Sequence, residues 1–321
     1  LLTAQMDSAP MIVICGQTNH ENLGLDAFQE ADVTGITYPV VKHSYLVRSS
    51  EEIPRIAKEA FYIANTGRPG PVLIDLPKNI TDAANPDSLM TWRDPGPLDL
   101  PGFQPVLDGD PADISAAVKM WAESSRPVIY AGGGILKSRG AAELTALAEH
   151  TNTPVVTTLM ARGAMPDSHE LNLGMPGMHG NYTAVMAMQE ADLLIALGSR
   201  FDDRVTGRLD SFAPDAKVIH VDIDPAELGK IRMPEVAIRG DAKRVMTAML
   251  EELRSASLAD HGAWRSTLSG WQENYPLAYE PAEPGGKLKP QMVLERLRDA
   301  SPKDTIVASG VGQHQMWASQ Y

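Results

Sequence analysis

The sequence predicts an α/β protein: a doubly wound parallel sheet forms a central domain, flanked on each side by an incomplete α/β block. Three observations carry this. Between residues 111 and 257, five short apolar runs alternate with amphipathic helical patterns, the order expected of a parallel sheet covered on both faces. Pro- and Gly-punctuated stretches at 86–110 and 258–289 separate that block from its neighbours. The last block, 290–321, holds too few elements to bury a core by itself, and in the first, 1–85, few α/β units precede its helix and strand, so it reads as truncated at its start.

In the first block, Met11–Cys15 reads as a buried strand, with the single cysteine, Cys15, as a core thiol rather than a nucleophile. Ser49-Ser50-Glu51-Glu52 has capping-box spacing. Ile53, Ile56, Ala57, Ala60, Phe61 and Ala64 then recur at helical spacing. Gly67 suits the position just past a helix end, where positive φ is cheap in glycine. Arg68-Pro69-Gly70-Pro71 reads as a turn and Val72–Leu76 as a second buried strand. Asn85-Pro86, Asp94-Pro95-Gly96-Pro97, Pro101-Gly102 and Pro105 break up the first linker. In the central block, strands are expected at Val128–Ala131, Val155–Thr158, Leu193–Leu197, Val218–Asp222 and Val236–Ile238. Helices are expected at Ile114–Ala122, Ala141–Glu149, Tyr182–Gln189 and Ala242–Leu253. The last block opens on a helix, Pro290–Ala300, and a strand, Thr305–Ala308.

Hydrophobic residues make up 43% of the chain and charged residues 21%, a globular composition rather than a disordered one. The net charge of −13 argues against a nucleic-acid partner, which requires a basic patch. No apolar run reaches the ~18 residues of a membrane span, and Leu1–Pro10 has neither the basic start nor the apolar core of a signal peptide. One cysteine provides no disulfide framework and no zinc spacing, which suits the cytoplasm.

Ligands of an open parallel sheet sit at the carboxyl ends of its strands, and here those ends are marked. The first central strand ends in Gly132-Gly133-Gly134, where backbone without Cβ can approach a phosphate or an adenine; a plain tight turn is the competing reading, since the spacing is not G-x-G-x-x-G. The second ends at Thr157-Thr158-Leu159-Met160, and the third in Gly198-Ser199-Arg200-Phe201-Asp202-Asp203-Arg204. Guanidinium groups suit planar rings and phosphates, though this string could equally be a solvated turn. The fourth ends in Asp222-Ile223-Asp224-Pro225, where a carboxylate can accept ribose hydroxyls. The fifth reaches Gly240-Asp241-Ala242, where Asp241 could be only a helix N-cap. Taken together, five glycine-rich or polar ends on one rim favour a nucleotide site. Gly177-Met178-His179-Gly180 adds a flexible loop before a helix, and Ser309-Gly310-Val311-Gly312-Gln313-His314-Gln315 could present N–H groups to a diphosphate.

As an ordered set, several strings resemble the acetohydroxyacid synthase (acetolactate synthase) catalytic subunits, above all the bacterial ones. They are Gly24-Leu25-Asp26-Ala27-Phe28-Gln29-Glu30, Val41-Lys42-His43, Gly67-Arg68-Pro69-Gly70-Pro71, the Gly132 triplet, Gly177–Gly180, Arg200–Arg204 and Gly312-Gln313-His314-Gln315-Met316-Trp317. The resemblance runs along the whole chain. It implies that 1–85 is the end of a pyrimidine-binding domain, 111–257 an FAD-binding domain and 290–321 the start of a diphosphate-binding domain. The flanking blocks would then be incomplete thiamine-diphosphate-binding domains. It implies FAD contacts from Arg68, Gly133, Thr158, Leu159, Met178, His179, Arg200, Arg204, Val205, Asp222, Ile223, Asp241 and Ala242. It assigns Gly312, Gln313 and His314 to thiamine diphosphate, and Phe28, Gln29, Lys78, Asp203 and Arg204 to a substrate channel. The family's catalytic glutamate is expected ahead of residue 1, and its Gly-Asp-Gly motif for Mg2+ beyond Tyr321. The chain is therefore expected to be an internal portion of a longer protein, with no acetolactate formation of its own.

The activity implied is decarboxylation of pyruvate and transfer of the two-carbon unit to a second 2-keto acid, pyruvate or 2-ketobutyrate, at the first common step of branched-chain amino acid biosynthesis. A homodimer or larger assembly, and a small regulatory subunit, are the implied partners. A pyruvate oxidase-like thiamine and FAD oxidoreductase, or a nucleotide-binding module without catalysis, are the alternative readings.

Overall fold

The structure is a computed structural model that describes residues 1–82, 84, 94–302 and 304–321; the expected Asn85-Pro86 break lies outside them. The chain divides into two compact units, Leu1–Pro105 and Val106–Tyr321.

The first unit carries α1 (Leu2–Met6), β1 (Met11–Gln17), α2 (Val33–Thr37), β2 (His43–Leu46), α3 (Ile53–Asn65) and β3 (Pro71–Pro77). Its sheet is parallel in the order β1-β3-β2, with Ile14 of β1 opposite Ile74 and Tyr45 of β2 opposite the same residue. Central β3 is buried almost throughout, as its apolar run predicts. Helix α3 lays Ile56, Ala60, Ile63 and Ala64 on it, against Val47, Val72, Ile74 and Ile80. Three expectations change. Phe61 is exposed and Ile63 takes the core position, because the buried stripe of α3 runs one residue off the predicted one. The capping box does not form: Glu52 turns back to the Arg48 N–H at 2.9 Å, Ser49 makes no side-chain cap, and the helix begins at Ile53 with Pro54 in its first turn. β1 is a half-exposed edge strand rather than a buried one, since it pairs with β3 alone, and Cys15 is half-buried. Gly67 does take positive φ, +67°, just past α3. Lys42 closes that helix end by donating from Nζ to the carbonyls of Ile63 and, at 2.7 Å, Thr66.

The second unit contains α4 (Pro111–Glu123), β4 (Pro127–Ala131), α5 (Gly133–Lys137), α6 (Ala141–Thr151), β5 (Val155–Thr157), α7 (Tyr182–Glu190), β6 (Leu193–Leu197), α8 (Asp203–Thr206), β7 (Lys217–Asp222), β8 (Val236–Arg239), α9 (Ala242–Leu253), α10 (Gly262–Asn274), α11 (Pro290–Ala300) and α12 (Gln313–Gln320). Its five strands are all parallel, in the order β5-β4-β6-β7-β8. Side chains alternate between two cores, as strand periodicity requires. Ile129, Ala131, Leu193, Ile195, Leu197, Ile219 and Val221 join α4, α6 and α9 on one face. Val128, Tyr130, Leu194, Ala196 and Val218 join α7 and α10 on the other. Continuous apolar strands therefore reflect burial on both faces, the doubly wound arrangement predicted.

Two stretches differ from expectation. The linker predicted at 258–289 carries α10, whose Trp264 and Leu268 are buried and whose Trp264 Nε1 donates to the Pro127 carbonyl at 3.2 Å. Just before it, His261 is buried between the Thr151 carbonyl, 3.0 Å from Nδ1, and the Ser124 carbonyl, 3.1 Å from Nε2. The strand predicted at Thr305–Ala308 is irregular, with Ile306 and Val307 largely exposed. An apolar β-prone run becomes a strand only beside a partner, and among the described residues it has none.

Candidate functional site

Because β4 to β8 are parallel, their carboxyl ends share one edge. The chain leaves β4 for β5 on one side and then crosses to β6 on the other, so the strand order reverses between β4 and β6. A crevice for a ligand opens at such a point. The glycine triplet lies there. A Cβ on Gly132 would stand 2.2 Å from the Gly198 carbonyl oxygen, and one on Gly134 would stand 2.7 Å from the Gly198 Cα. The two backbones are bonded together, Gly132 N to Leu197 O and Gly134 N to Gly198 O, each at 3.0 Å. Gly133 faces elsewhere. A Cβ there would meet the Cβ of Met160 at 3.2 Å, on the side of the Thr158–Met160 turn.

The other predicted residues of this unit fall around that edge. The Thr158 Oγ1 is buried and has no hydrogen-bond partner. Leu159 opens the short turn Leu159–Ala161 and is half-buried. After β6, Phe201 is buried, while Asp202 caps α8 by accepting from Arg204 N at 2.9 Å. Arg200 and Arg204 make no side-chain hydrogen bond or ion pair among the described residues; Asp203 and Arg204 are exposed and Val205 half-buried. The loop Gly177–Gly180 is brought to the same place: Met178 N donates to the Arg204 carbonyl at 2.8 Å. A Cβ on Gly177, which has φ +96°, would lie 2.7 Å from that oxygen. Met178 and His179 project as exposed side chains. Asp222 ends β7 and accepts from Asp224 N at 2.9 Å, with Ile223 half-buried between them. Asp241 is an N-cap, accepting from Arg244 N at 3.2 Å, and Ala242 is buried behind it. Gly312 precedes α12 with φ +154°, and Gln313 and His314 are exposed in its first turn.

The remaining predicted residues lie in the first unit. Arg68 donates from Nε to Ser8 Oγ at 2.9 Å and from Nη2 toward the Gln5 and Met6 carbonyls. Phe28 and Gln29 ride on a tight loop wound about the Glu30 carboxylate, which accepts from Gly24 N and, at 3.0 Å, from Ala27 N. These bonds hold the Glu30 carboxyl below its ordinary range. Phe28 is 88% exposed, and Lys78 is exposed at the turn after β3.

Sequence reasoning passed over three side chains beneath the β6 end. Tyr130 Oη donates to the Arg200 carbonyl at 3.0 Å, Ser199 Oγ donates to the Tyr130 carbonyl at 3.0 Å, and His220 Nε2 lies 2.9 Å from the Ser199 carbonyl. Burial pushes the Tyr130 hydroxyl well above its ordinary pKa, with Asp202 adding to the shift and Arg200 opposing it. Burial pushes the His220 imidazole below its ordinary pKa, against the Ser199 bond and Glu227. Both thus remain neutral donors. A polar residue inside an apolar strand was the available signal. Separately, a cavity of about 250 Å³ opens among Arg162, Asn172, Gln272, Arg298 and Tyr321 and is lined by none of the predicted site residues.

Residues 114–249, which hold the switch point and the whole five-stranded sheet, match the family model of the thiamine pyrophosphate enzyme central domain. The chain is 50% identical over 324 residues to the acetolactate synthase of Mycobacterium leprae, a match covering all of this chain and 51% of that protein. It is 51% identical to the large subunit from Corynebacterium glutamicum, over 99% of this chain and 50% of that one. It is 46% identical to the large subunit from Parasynechococcus marenigrum, again over all of this chain and 51% of the other. The chain is a relative of the acetolactate synthases along its whole length. It spans about half the length of the curated relatives it matches. The resemblance read from the motifs is therefore upheld, and the doubly wound unit carries the thiamine pyrophosphate enzyme central domain.

Two groups implied by that kinship can be tested against the residues present. One feature of the crevice would suit a flavin nucleotide: the Thr158 Oγ1, in the turn whose Met160 the Gly133 position faces, is buried without a hydrogen-bond partner. A divalent cation is not fitted here. Among the described residues, no group of three or more His, Cys, Asp or Glu gathers to hold one. No helix of the described residues is long and apolar enough to cross a membrane.

Proposed function

We propose that the full-length protein is an acetolactate synthase that binds FAD in the central domain and thiamine diphosphate with Mg2+ beside it. The observation that supports the FAD part is the switch point between β4 and β6, bordered by the Gly132 triplet and by the turn that holds the buried, partnerless Thr158 Oγ1. FAD would lie along Gly133, Thr158, Leu159, Met178, His179, Arg200, Arg204, Val205, Asp222, Ile223, Asp241 and Ala242. Gly312, Gln313 and His314 would meet thiamine diphosphate. Thiamine diphosphate supplies the electron sink that decarboxylation of a 2-keto acid needs.

The chain's own residues bind and orient. Guanidinium groups take phosphates or a carboxylate through a planar fork, and Arg204 is the candidate for the carboxylate of the second keto acid. Phe28 and Gln29 stand on a loop already shaped by Glu30, so they meet the substrate without a further ordering cost. Asp203 and Lys78 are further candidates for contact with the substrate. We read the working form as a cytoplasmic homodimer or larger, with a small regulatory subunit as partner.

The test is pyruvate added to the full-length protein loaded with FAD, thiamine diphosphate and Mg2+ under anaerobic conditions. Acetolactate with an unbleached flavin is expected. Rapid loss of the flavin band near 450 nm, with no acetolactate formed, would mark an oxidase and reject the assignment.

A further inference from the structure

Beyond β6 the backbone leaves the sheet: Gly198 has φ +56°, and Ser199 and Phe201 are buried. Buried carbonyls at such a bend have lost the ladder and need other donors. Here the donors come from the two strands that flank β6. Tyr130, from β4, bonds the Arg200 carbonyl, and His220, from β7, bonds the Ser199 carbonyl. Ser199 Oγ returns a bond to the Tyr130 carbonyl. Between them sits Phe201, its ring 5.8 Å from Tyr130 and 5.4 Å from His220. The bend is thus fixed from both sides by neutral, buried hydrogen-bonding groups. What it presents is Arg200, whose guanidinium has no hydrogen-bond or ion-pair partner among the described residues. Across β4 lies another unpartnered polar group, the Thr158 Oγ1. A cation whose backbone is locked while its head is left uncommitted is arranged for a ligand rather than for stability.

We infer that Tyr130 and His220 are positioning residues for the flavin nucleotide: they fix the Ser199–Arg200 backbone so that Arg200 enters the crevice already ordered. The inference rests on the FAD reading above. It adds that part of the affinity is stored in residues that never touch the ligand, by lowering the ordering cost of one that does.

The test is a double-mutant cycle on flavin affinity, measured by quenching of FAD fluorescence at a temperature where every variant is folded. Tyr130→Phe keeps the ring against Phe201 and removes only the hydroxyl. It should weaken FAD binding about 10-fold, the equivalent of ~1.4 kcal/mol. In an Arg200→Ala background the same change should cost less than about 2-fold, because a residue acting through Arg200 has nothing left to position. His220→Leu should behave like Tyr130→Phe. His220→Gln keeps a donor near the Nε2 position and should recover most of the affinity. A merely structural role predicts lower melting midpoints with unchanged affinity in the folded proteins. That result would overturn the inference, and so would equal losses with and without Arg200. Failure of the wild-type protein to bind FAD at all is a different outcome: it would reject the flavin site and this inference with it.

Discussion

Replacing Gly132 by alanine places a methyl group 2.2 Å from the Gly198 carbonyl oxygen, 2.4 Å from the Ser199 Cα and 2.5 Å from the Ser199 Cβ. Two of the three are backbone atoms, so no rotamer change relieves them. To reach ordinary contact, the ends of β4 and β6 must part by roughly 1 Å, and overpacking of this kind costs about 1–3 kcal/mol. The same movement stretches the bonds from Gly132 N to Leu197 O and from Gly134 N to Gly198 O, worth ~0.5–1.5 kcal/mol each. A loss of roughly 3 kcal/mol is expected, which for a unit of this size lowers the melting midpoint by about 6–12 °C. Gly133→Ala is the control. Its methyl would face the Met160 Cβ at 3.2 Å, in a loop that can give, and its φ is not positive. Alanine also gains up to ~1 kcal/mol over glycine within a helix. Stability should therefore stay within about 1 kcal/mol of the wild type, while FAD affinity falls because the methyl fills space between Gly133 and the Thr158–Met160 turn. Circular-dichroism melting of the flavin-free proteins, followed by FAD titration, separates the two effects. If Gly132→Ala melts with the wild type, or Gly133→Ala is the less stable of the pair, the division of the triplet into packing and binding roles is wrong.

Arg204→Ala in the full-length protein should raise KM for the second keto acid by about 10- to 100-fold, the loss of one charge-assisted hydrogen bond, with kcat little changed. Lysine should not restore it, since a point charge replaces a planar fork, and unaltered steady-state kinetics would remove Arg204 from the role. His220 is held below its ordinary pKa by burial. The unfolded chain therefore takes up a proton first, and stability that is full above about pH 6.5 should fall as the pH drops below it. Melting midpoints compared at pH 7.5 and 5.5 test this, and His220→Gln should show a smaller acid loss than wild type. Trp264→Ala should destabilise the docking of α10 by about 3–5 kcal/mol, seen as proteolytic cleavage within residues 258–275 well before the sheet is cut.

The central sheet was legible because its inner strands β4 and β6 are apolar from end to end, a pattern that burial on both faces produces. β6, Leu193–Leu197, matches its predicted bounds for that reason. The same rule misled at Met11–Cys15 and Thr305–Ala308, where apolar runs stand with one neighbouring strand or none. Apolar character states how much burial a segment wants, while pairing depends on what is placed beside it. Helix α10 was missed for the opposite reason. Trp264, Leu268 and Trp271 do recur at helical spacing, but prolines and glycines after Asn274 gave the whole stretch the look of a linker. Within the site, residues that end strands were visible in sequence because polar and glycine residues contrast with the runs before them. Tyr130 and His220 were not, because a single polar residue inside an apolar run has no partner until the strand order is known.

That order also divides the rim by cause. Gly132, Gly134 and Gly198 are glycine because two backbones converge where β4 and β6 part, and any doubly wound sheet with this crossing would ask for small residues there, whatever its ligand. Asp202 and Asp241 serve their helices as caps, so each has a role that needs no ligand. Once those are set aside, the Thr158 Oγ1 and the Arg200 and Arg204 guanidinium groups remain, and they share one property: no hydrogen bond or ion pair among the described residues occupies them. Packing and capping account for the first group, and the proposed nucleotide would account for what they leave over in the second. The case for a nucleotide therefore rests on the residues left unexplained by folding, and these are the ones whose replacement should change affinity while leaving the melting midpoint close to that of the wild type.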